Sequence, residues 1–479
     1  MDSSSTASFF VAWPSAPLTD LLVRSALLSL PDINSATIHS TQPRSFRKLI
    51  QWSTYDGIDH ALTHSHHHDV LSSSYIIRKA LIRKHFLSRS IRSYLTKHPD
   101  SVLRTAVPKT WEIEIAFSDE LDDLWADELW DLSELLLASA DADETKKMWW
   151  ILKPGMADRG MGIRLFDSKE GLRRTLDEFD DDDEEEEEEE GPDCGEGRHD
   201  GNGDGDGPGF GAAAQDDDDT SVAVSQLRHF VIQEYLSRPL LLDPREVPLG
   251  DVVDSPRRPF DRLRGHKFHL RAYCVASGDL TLYWYTRMLA LFSSKPYTPP
   301  ARANDADAID LAPHLTNSSL QIRRGEEGVR LFDELLGCHI LSCEPGPGGT
   351  TLTLDHLVNV QDQVADTLAE TFRAALESPI HFQPLPNAFE LYGVDFLVEH
   401  IASESPQQQF QVKLLEINAE PAIELTGPRL TWILKDLFDA VAYVCVDPFV
   451  RDVPLDSWPV GETRHHLRKC LQLKVRGSS

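Results

Sequence analysis

Residues 392–398, Tyr-Gly-Val-Asp-Phe-Leu-Val, and residues 412–418, Val-Lys-Leu-Leu-Glu-Ile-Asn, are two apolar runs interrupted by oxygen-bearing side chains. Their residue types predict strands over 391–398 and 411–417. Side chains alternate between the faces of a strand, so Glu416 and Asn418 point to the same side, while Asp395 breaks an otherwise buried run. A buried carboxylate needs a counter-charge. Either a protein lysine or arginine supplies it, or a hard divalent cation such as magnesium does, which prefers oxygen ligands of this kind and bridges polyphosphate.

Upstream, Lys267-Phe268-His269-Leu270-Arg271 alternates in the same way, with Lys267, His269 and Arg271 on one face and Phe268 and Leu270 on the other. Three cationic or ionisable groups on one strand face are costly unless an anion lies against them, and phosphate is the simplest such anion. Trp150-Ile151-Leu152-Lys153-Pro154-Gly155 reads as a strand end opening into a loop with Arg159, Gly160 and Gly162. Glycines there let backbone N–H groups approach polyphosphate, and Lys153 adds a point charge. No Gly-Lys-Ser/Thr opens a helix, so this is not a P-loop. Residues 229–236 form an apolar strand turning polar at Gln233 and Glu234, where an adenine ring would find an apolar slot and backbone groups for its edge.

The remaining chain frames these motifs. Its 479 residues, 41% of them hydrophobic, are enough for two or three subdomains. Residues 1–145 read as an N-terminal α/β subdomain: a strand at Phe9, a helix from Leu18 to Leu30, a basic helix from Tyr75 to Leu95 and an acidic helix over 118–143. Residues 146–450 read as the catalytic domain and 451–479 as a tail. Within the former, strands are predicted at 267–275, 280–285 and 288–292, and helices at 355–376 and 430–444. The formal net charge of −31 gathers largely in 177–219, and the stretch 180–220 holds too few apolar residues to offset its ordering entropy, so it is predicted to be a disordered insertion. A second insertion is predicted over 245–264. A charge of this size would ordinarily argue against nucleic-acid binding, but because it gathers in one tract it is not read as a property of the active domain; no direct nucleic-acid binding is expected. No apolar run is long enough to span a bilayer, and the six cysteines lack paired spacing, the pattern of a reduced, cytoplasmic protein. Cys338, His339 and Cys343 lack a second ligand pair at zinc spacing, and His60, His64, His66, His67 and His68 read as a loop rather than a metal site.

The motifs occur in an order that resembles the tubulin-tyrosine ligase family of ATP-grasp enzymes: the Lys153 glycine loop, Gln-x-Tyr-Leu at 233–236, Lys-Phe-x-Leu-Arg at 267–271, His314-Leu315-Thr316-Asn317, Gly-x-Asp-Phe-Leu at 393–397 and Leu-Glu-Ile-Asn-Ala-Glu-Pro at 415–421. The resemblance implies an α+β, ATP-grasp fold with antiparallel sheets and flanking helices. It implies that Lys153, Gly160 and Lys267 hold ATP phosphates, that Gln233, Glu234 and Leu236 hold the adenine, and that Asp395, Glu416 and Asn418 hold Mg²⁺. It implies further that Arg271 neutralises the transferring phosphoryl group, that His314, Thr316 and Asn317 lie near the γ-phosphate and acceptor, and that Lys79 makes a nucleotide or acceptor contact. The implied reaction joins an amino acid to a protein carboxylate through an acyl phosphate, with tubulin the default acceptor. Two positions depart from the family pattern: His269 stands where members carry Asp, and Leu291 where they carry Arg. These variants look similar to a fungal branch associated with processing bodies, which implies an acceptor other than tubulin, processing-body partners, or a nucleotide-binding scaffold with weakened catalysis.

Overall fold

The computed structural model describes residues 7–31, 37–115, 117–142, 147–155, 162–189, 229–249, 257–301, 309–316, 328–342, 349–401, 409–421, 423–454 and 458–474. By contacts they divide into a larger unit, Met1–Thr110 with Glu234–Ser479, and a smaller one, Trp111–Gln233. The boundary read near residue 145 falls inside the smaller unit.

The larger unit begins with β1 (Ser8–Ala12), α1 (Pro17–Ser29), β2 (Thr37–His39), β3 (Leu49–Ser53), α2 (His60–Ser65) and β4 (Val70–Ser72). The four strands are all parallel, in the order β2-β1-β3-β4. The basic stretch read as one helix is two, α3 (Lys79–Ile82) and α4 (Lys84–Lys97), because Arg83 between them is extended. A short α5 (Leu103–Ala106) follows.

The smaller unit carries β5 (Thr110–Glu114), α6 (Leu121–Ala126), α7 (Trp130–Ser139), β6 (Trp150–Pro154), β7 (Arg164–Phe166), α8 (Lys169–Glu189) and β8 (His229–Glu234), its sheet ordered β5-β8-β6-β7. Trp150, Leu152, Phe166, Phe230 and Ile232 form its core. The acidic helix read over 118–143 is broken into α6 and α7. Glutamate is a good helix former, and α8 continues through Glu189; residues 190–228 of the acidic insertion lie outside the described residues.

The chain then builds the large sheet: β9 (Phe268–Ser277), β10 (Thr281–Phe292), β11 (Val329–Leu331), α9 (Leu354–Leu376), β12 (Phe389–His400), β13 (Phe410–Ala419), α10 (Thr431–Val441), α11 (Asp447–Arg451), β14 (Thr463–Arg464) and β15 (Leu467–Gln472). Its order is β13-β12-β9-β10-β15-β14, with β11 also on β10 and every pair antiparallel. The runs at 280–285 and 288–292 are one strand: a bulge between Tyr285 and Leu289 keeps β10 continuous. Part of the stretch read as a tail, β15, pairs with β10 inside this sheet.

The period-2 pattern gives the sheet two faces. Leu270, Ala272, Cys274, Val394, Phe396 and Val412 lie under α4 and α9 in one core. Tyr273, Val275, Tyr283, Tyr285 and Leu289 lie with α1, α10, β1 and β3 in another. Each fully buried Leu or Phe contributes about 1.5–3 kcal/mol, so the two cores anchor the sheet from both sides. Among the described residues Cys274, Cys338, Cys445 and Cys470 are buried free thiols, and no helix is long and apolar enough to cross a membrane.

Candidate functional site

On the α1 side of the large sheet the apolar packing gives way to charge. Leu289, Arg271, Asp395 and Glu416 are direct cross-strand partners on β10, β9, β12 and β13, forming one row across four strands. A register shift after Asp395 leaves Leu415 unopposed, so that Glu416 lines up with Asp395 while Leu414 stays opposite Phe396 in the core. Asn418 lies opposite Gly393. A Cβ at Gly393 would stand 2.6 Å from the Pro421 Cβ and 3.4 Å from the Arg271 Cδ, so only glycine leaves room for the chain that follows Asn418.

The two carboxylates differ. Asp395 is 4% exposed and takes both its bonds from Arg271: Nε donates to Oδ1, and Nη2 donates to Oδ2 at 3.0 Å. Burial works against the guanidinium charge, but Asp395 outweighs it and raises the Arg271 pKa. Glu416 is half-buried; Lys84 Nζ of α4 lies 3.4 Å from its Oε2, and Asn418 Nδ2 donates to its Oε1 at 3.3 Å.

A second limb adjoins the row. His269 Nδ1 and Thr316 Oγ1 are 2.6 Å apart, and His269 Nε2 lies 3.6 Å from Asp395 Oδ1. Burial lowers the His269 pKa; Asp395 opposes this and Arg271 adds to it, which leaves a neutral imidazole at neutral pH. Tyr235 Oη and His314 Nδ1 are 2.9 Å apart, and Lys267 Nζ sits 4.2 Å from the centre of the Tyr235 ring. Burial and the Lys267 charge lower His314 to about 4. Leu291 is the direct cross-strand partner of His269, so the two departures from the family pattern are neighbours on the same patch of sheet.

Of the residues singled out in the sequence, Lys267, Arg271, His314, Thr316, Asp395, Glu416 and Asn418 therefore occur in these two adjoining limbs. Glu234 instead meets Lys109: its backbone N–H donates to the Lys109 carbonyl at 2.8 Å, and its carboxylate accepts from the Lys109 N–H at 3.3 Å. Leu236 is buried beyond it. In the smaller unit, Lys153 Nζ donates to Gln233 Oε1 at 2.7 Å, and the Gly155 N–H donates to the His229 carbonyl. Lys79 is exposed at the start of α3, and among the described residues no hydrogen bond or ion pair ties its side chain to the row. Gly160 and Asn317 lie outside the described residues, as does Cys343. Lys84 and Tyr235 are the residues sequence reading passed over. In the sequence Lys84 is one cation of the basic helix, whose charged face reads equally as a surface toward phosphate or an acidic polymer and as a solvated face, and Tyr235 is legible only as the aromatic of the Gln-x-Tyr-Leu word.

Among the described residues no three His, Cys, Asp or Glu side chains gather as a metal centre. The donor chemistry nevertheless fits magnesium: Glu416 and Asn418 offer hard oxygens on one face, and the Asp395 oxygens keep lone pairs beyond those that Arg271 occupies.

A sequence model of the tubulin-tyrosine ligase family matches residues 64–453. The chain is 37% identical over 410 residues to probable tubulin–tyrosine ligase PBY1 of Saccharomyces cerevisiae, an alignment covering 85% of this chain and 46% of that protein. It is 34% identical over 426 residues to a probable tubulin–tyrosine ligase of Schizosaccharomyces pombe, covering 88% and 89%. The chain thus spans under half of the first relative and most of the second. The crystal structure of the C-terminal domain of K. lactis Pby1, described as an ATP-grasp enzyme interacting with the mRNA decapping enzyme Dcp2, superposes with a TM-score of 0.61 at 27% identity, covering 98% of this chain and 100% of that one. The helices flanking antiparallel strands, the order of the motifs and these matches agree: this chain has the α+β ATP-grasp fold and belongs to the tubulin-tyrosine ligase family.

Proposed function

We propose that the chain is an ATP-dependent carboxylate–amine ligase that joins an amino acid to a protein carboxylate. The observation that carries this reading is the row Arg271–Asp395–Glu416, with Asn418 beside it: anion-binding and cation-binding groups in contact on one sheet face, the pairing a metal–triphosphate substrate requires. Lys267 and Arg271 would face phosphate oxygens, and preorganised charge of this kind stabilises a phosphoryl group in transfer. Glu416 and Asn418, with Asp395 behind them, would hold magnesium, which when bound neutralises charge on the phosphates. Lys153 and Gln233 are proposed as nucleotide contacts on the resemblance alone. An acceptor carboxylate oxygen bonds to the γ-phosphorus as ADP leaves; the amine nitrogen then bonds to the acyl carbon, releasing phosphate and a proton. His269 and His314, neutral in their surroundings, add no positive charge to compete with the arginine.

The test is consumption of ATP by the purified chain with Mg²⁺, labelled amino acids and cell extract. Label should enter a protein only when ATP and Mg²⁺ are both present, and Glu416→Gln should lower turnover at least about 100-fold, the scale of a lost electrostatic contact in transfer chemistry. An unchanged rate in that variant would remove Glu416 from the site. The family name makes tubulin the first acceptor to try, and the Dcp2 partner of K. lactis Pby1 makes cytoplasmic decapping assemblies the first location to examine.

One observation favours a second reading. His269 and Leu291, paired across β9 and β10, put an uncharged imidazole and an alkyl group where the family pattern has an acid and a base. On that reading the chain binds nucleotide as a scaffold for a decapping assembly. ATP binding without label transfer to any protein would select it.

A further inference from the structure

Between Glu416 and Lys84 runs a closed circuit of contacts through the turn that follows β3 of the N-terminal parallel sheet. Two residues beyond Asn418, at the end of β13, Glu420 adopts φ 51°, a left-handed conformation that a non-glycine residue keeps only when its surroundings impose it. Its carboxylate accepts a 2.8 Å hydrogen bond from the backbone N–H of Tyr55, in the turn after β3. Pro421 then packs against Gly393, closing the space a side chain would need. On its other side Tyr55 addresses the start of α3. Its ring lies 4.2 Å from the Arg78 Cζ, and its hydroxyl donates to the Ile76 carbonyl at 3.1 Å. Arg78 is buried and paired with Glu390 of β12, which also accepts from the Tyr392 hydroxyl at 2.7 Å and from the Tyr75 N–H at 3.2 Å. Arg78 immediately precedes α3, α3 runs through Arg83 into α4, and α4 brings Lys84 back to 3.4 Å from Glu416.

We propose that Tyr55 is a positioning residue: by holding Glu420 through its backbone and Arg78 through its ring, it sets the separation between the Glu416–Asn418 oxygens and the Lys84 ammonium. The row on β9, β12 and β13 is held by sheet hydrogen bonds, which fix its spacing along the strands. Lys84 comes from a helix, outside the sheet ladder, and its distance depends on how α3 and α4 dock against the sheet. The turn at Tyr55 touches both parts, so the N-terminal sheet acts on the site without contributing a ligand to it. A second carboxylate of the same segment, Glu424, accepts from the Thr19 N–H and hydroxyl at 3.2 and 2.8 Å and ties it to α1; of these two carboxylates Glu420 is the nearer in sequence to Asn418.

The inference rests on the proposed ligase reading for its consequence but not for its test. Glu420→Ala removes the acceptor; Glu420→Gln keeps an oxygen for the Tyr55 N–H and removes only the charge; Tyr55→Ala removes the ring beneath Arg78. Amide hydrogen exchange on the ligand-free chain is read at two separate segments, 417–421 and 78–85. In Glu420→Ala both should exchange about three- to tenfold faster, the scale of one lost hydrogen bond at an exposed site, and Glu420→Gln should restore both. Tyr55→Ala should loosen both segments as well. Acceleration confined to 417–421, or failure of Glu420→Gln to restore 78–85, overturns the coupling. Mg²⁺-dependent ATP binding is measured on the same proteins. If wild type binds, Glu420→Ala should raise the Mg²⁺ concentration needed for half-saturation, with Glu420→Gln near wild type; an unshifted Mg²⁺ requirement overturns the proposal. If wild type does not bind, the ligase reading fails while the exchange data still decide the coupling.

Discussion

Asp395 and Glu416 are cross-strand neighbours of the same chemical type, yet one is closed and the other open. Asp395 is buried, with both oxygens held by an arginine that is itself enclosed; Glu416 is half-buried and leans on a lysine and an amide at 3.3–3.4 Å. Desolvation explains the split. A buried charge must be matched at close range, and Arg271, the partner of Asp395 in the strand register, supplies the match; at the sheet margin water still shares the load and the contacts can be looser. The closed pair fixes one contact of the row, and on the proposed reading the open pair is where an incoming cation would find oxygens.

The largest effect that would break this contrast is on stability. Asp395→Ala leaves the largely enclosed Arg271 without its counter-charge and should destabilise the chain by about 3 kcal/mol in chemical denaturation, whereas Glu416→Ala should cost below about 1 kcal/mol. Equal losses would mean that the two environments are alike. Gly393→Ala tests the spacing between them. With Pro421 Cβ at 2.6 Å the new methyl forces either β12 or the segment after Asn418 to move, and a loss of about 1–3 kcal/mol is expected. Substitution without loss would show that the segment yields freely.

The smallest effect is pH-dependent and concerns the limb that carries His314. Its folded pKa, about 4, lies below the unfolded value near 6.5, so protonation favours the unfolded chain. The stability it confers is complete above about pH 6.5 and is lost progressively as pH falls toward 4, amounting to about 2 kcal/mol by pH 5. His314→Gln should flatten the melting profile between pH 6.5 and 5 relative to wild type. An identical slope in the two proteins would mean that His314 is not held neutral by burial and Lys267.

Much of this was legible before any coordinates. The strands at 391–398 and 411–417, the helix at 355–376 and the shared face of Lys267, His269 and Arg271 follow from period-2 and period-3.6 patterning, which is local. What escaped was non-local. The single β10 depends on a bulge against β9, β15 became a sheet strand through its pairing with β10, and Lys84 entered the site because α4 is packed by α9 on the opposite face of the sheet. Arg271 was read as a phosphate ligand and Asp395 as a metal ligand; their pairing with each other was visible in the sequence only as one of two alternatives.

By itself the sequence determined which side chains share a face within each strand, because alternation is a property of one strand's backbone. Only the tertiary structure decided that Arg271 stands opposite Asp395, that Leu291 stands opposite His269 and that a turn at Tyr55 holds Glu420. Register and docking depend on which segments become neighbours, and that choice is made by burying both faces of the sheet at once.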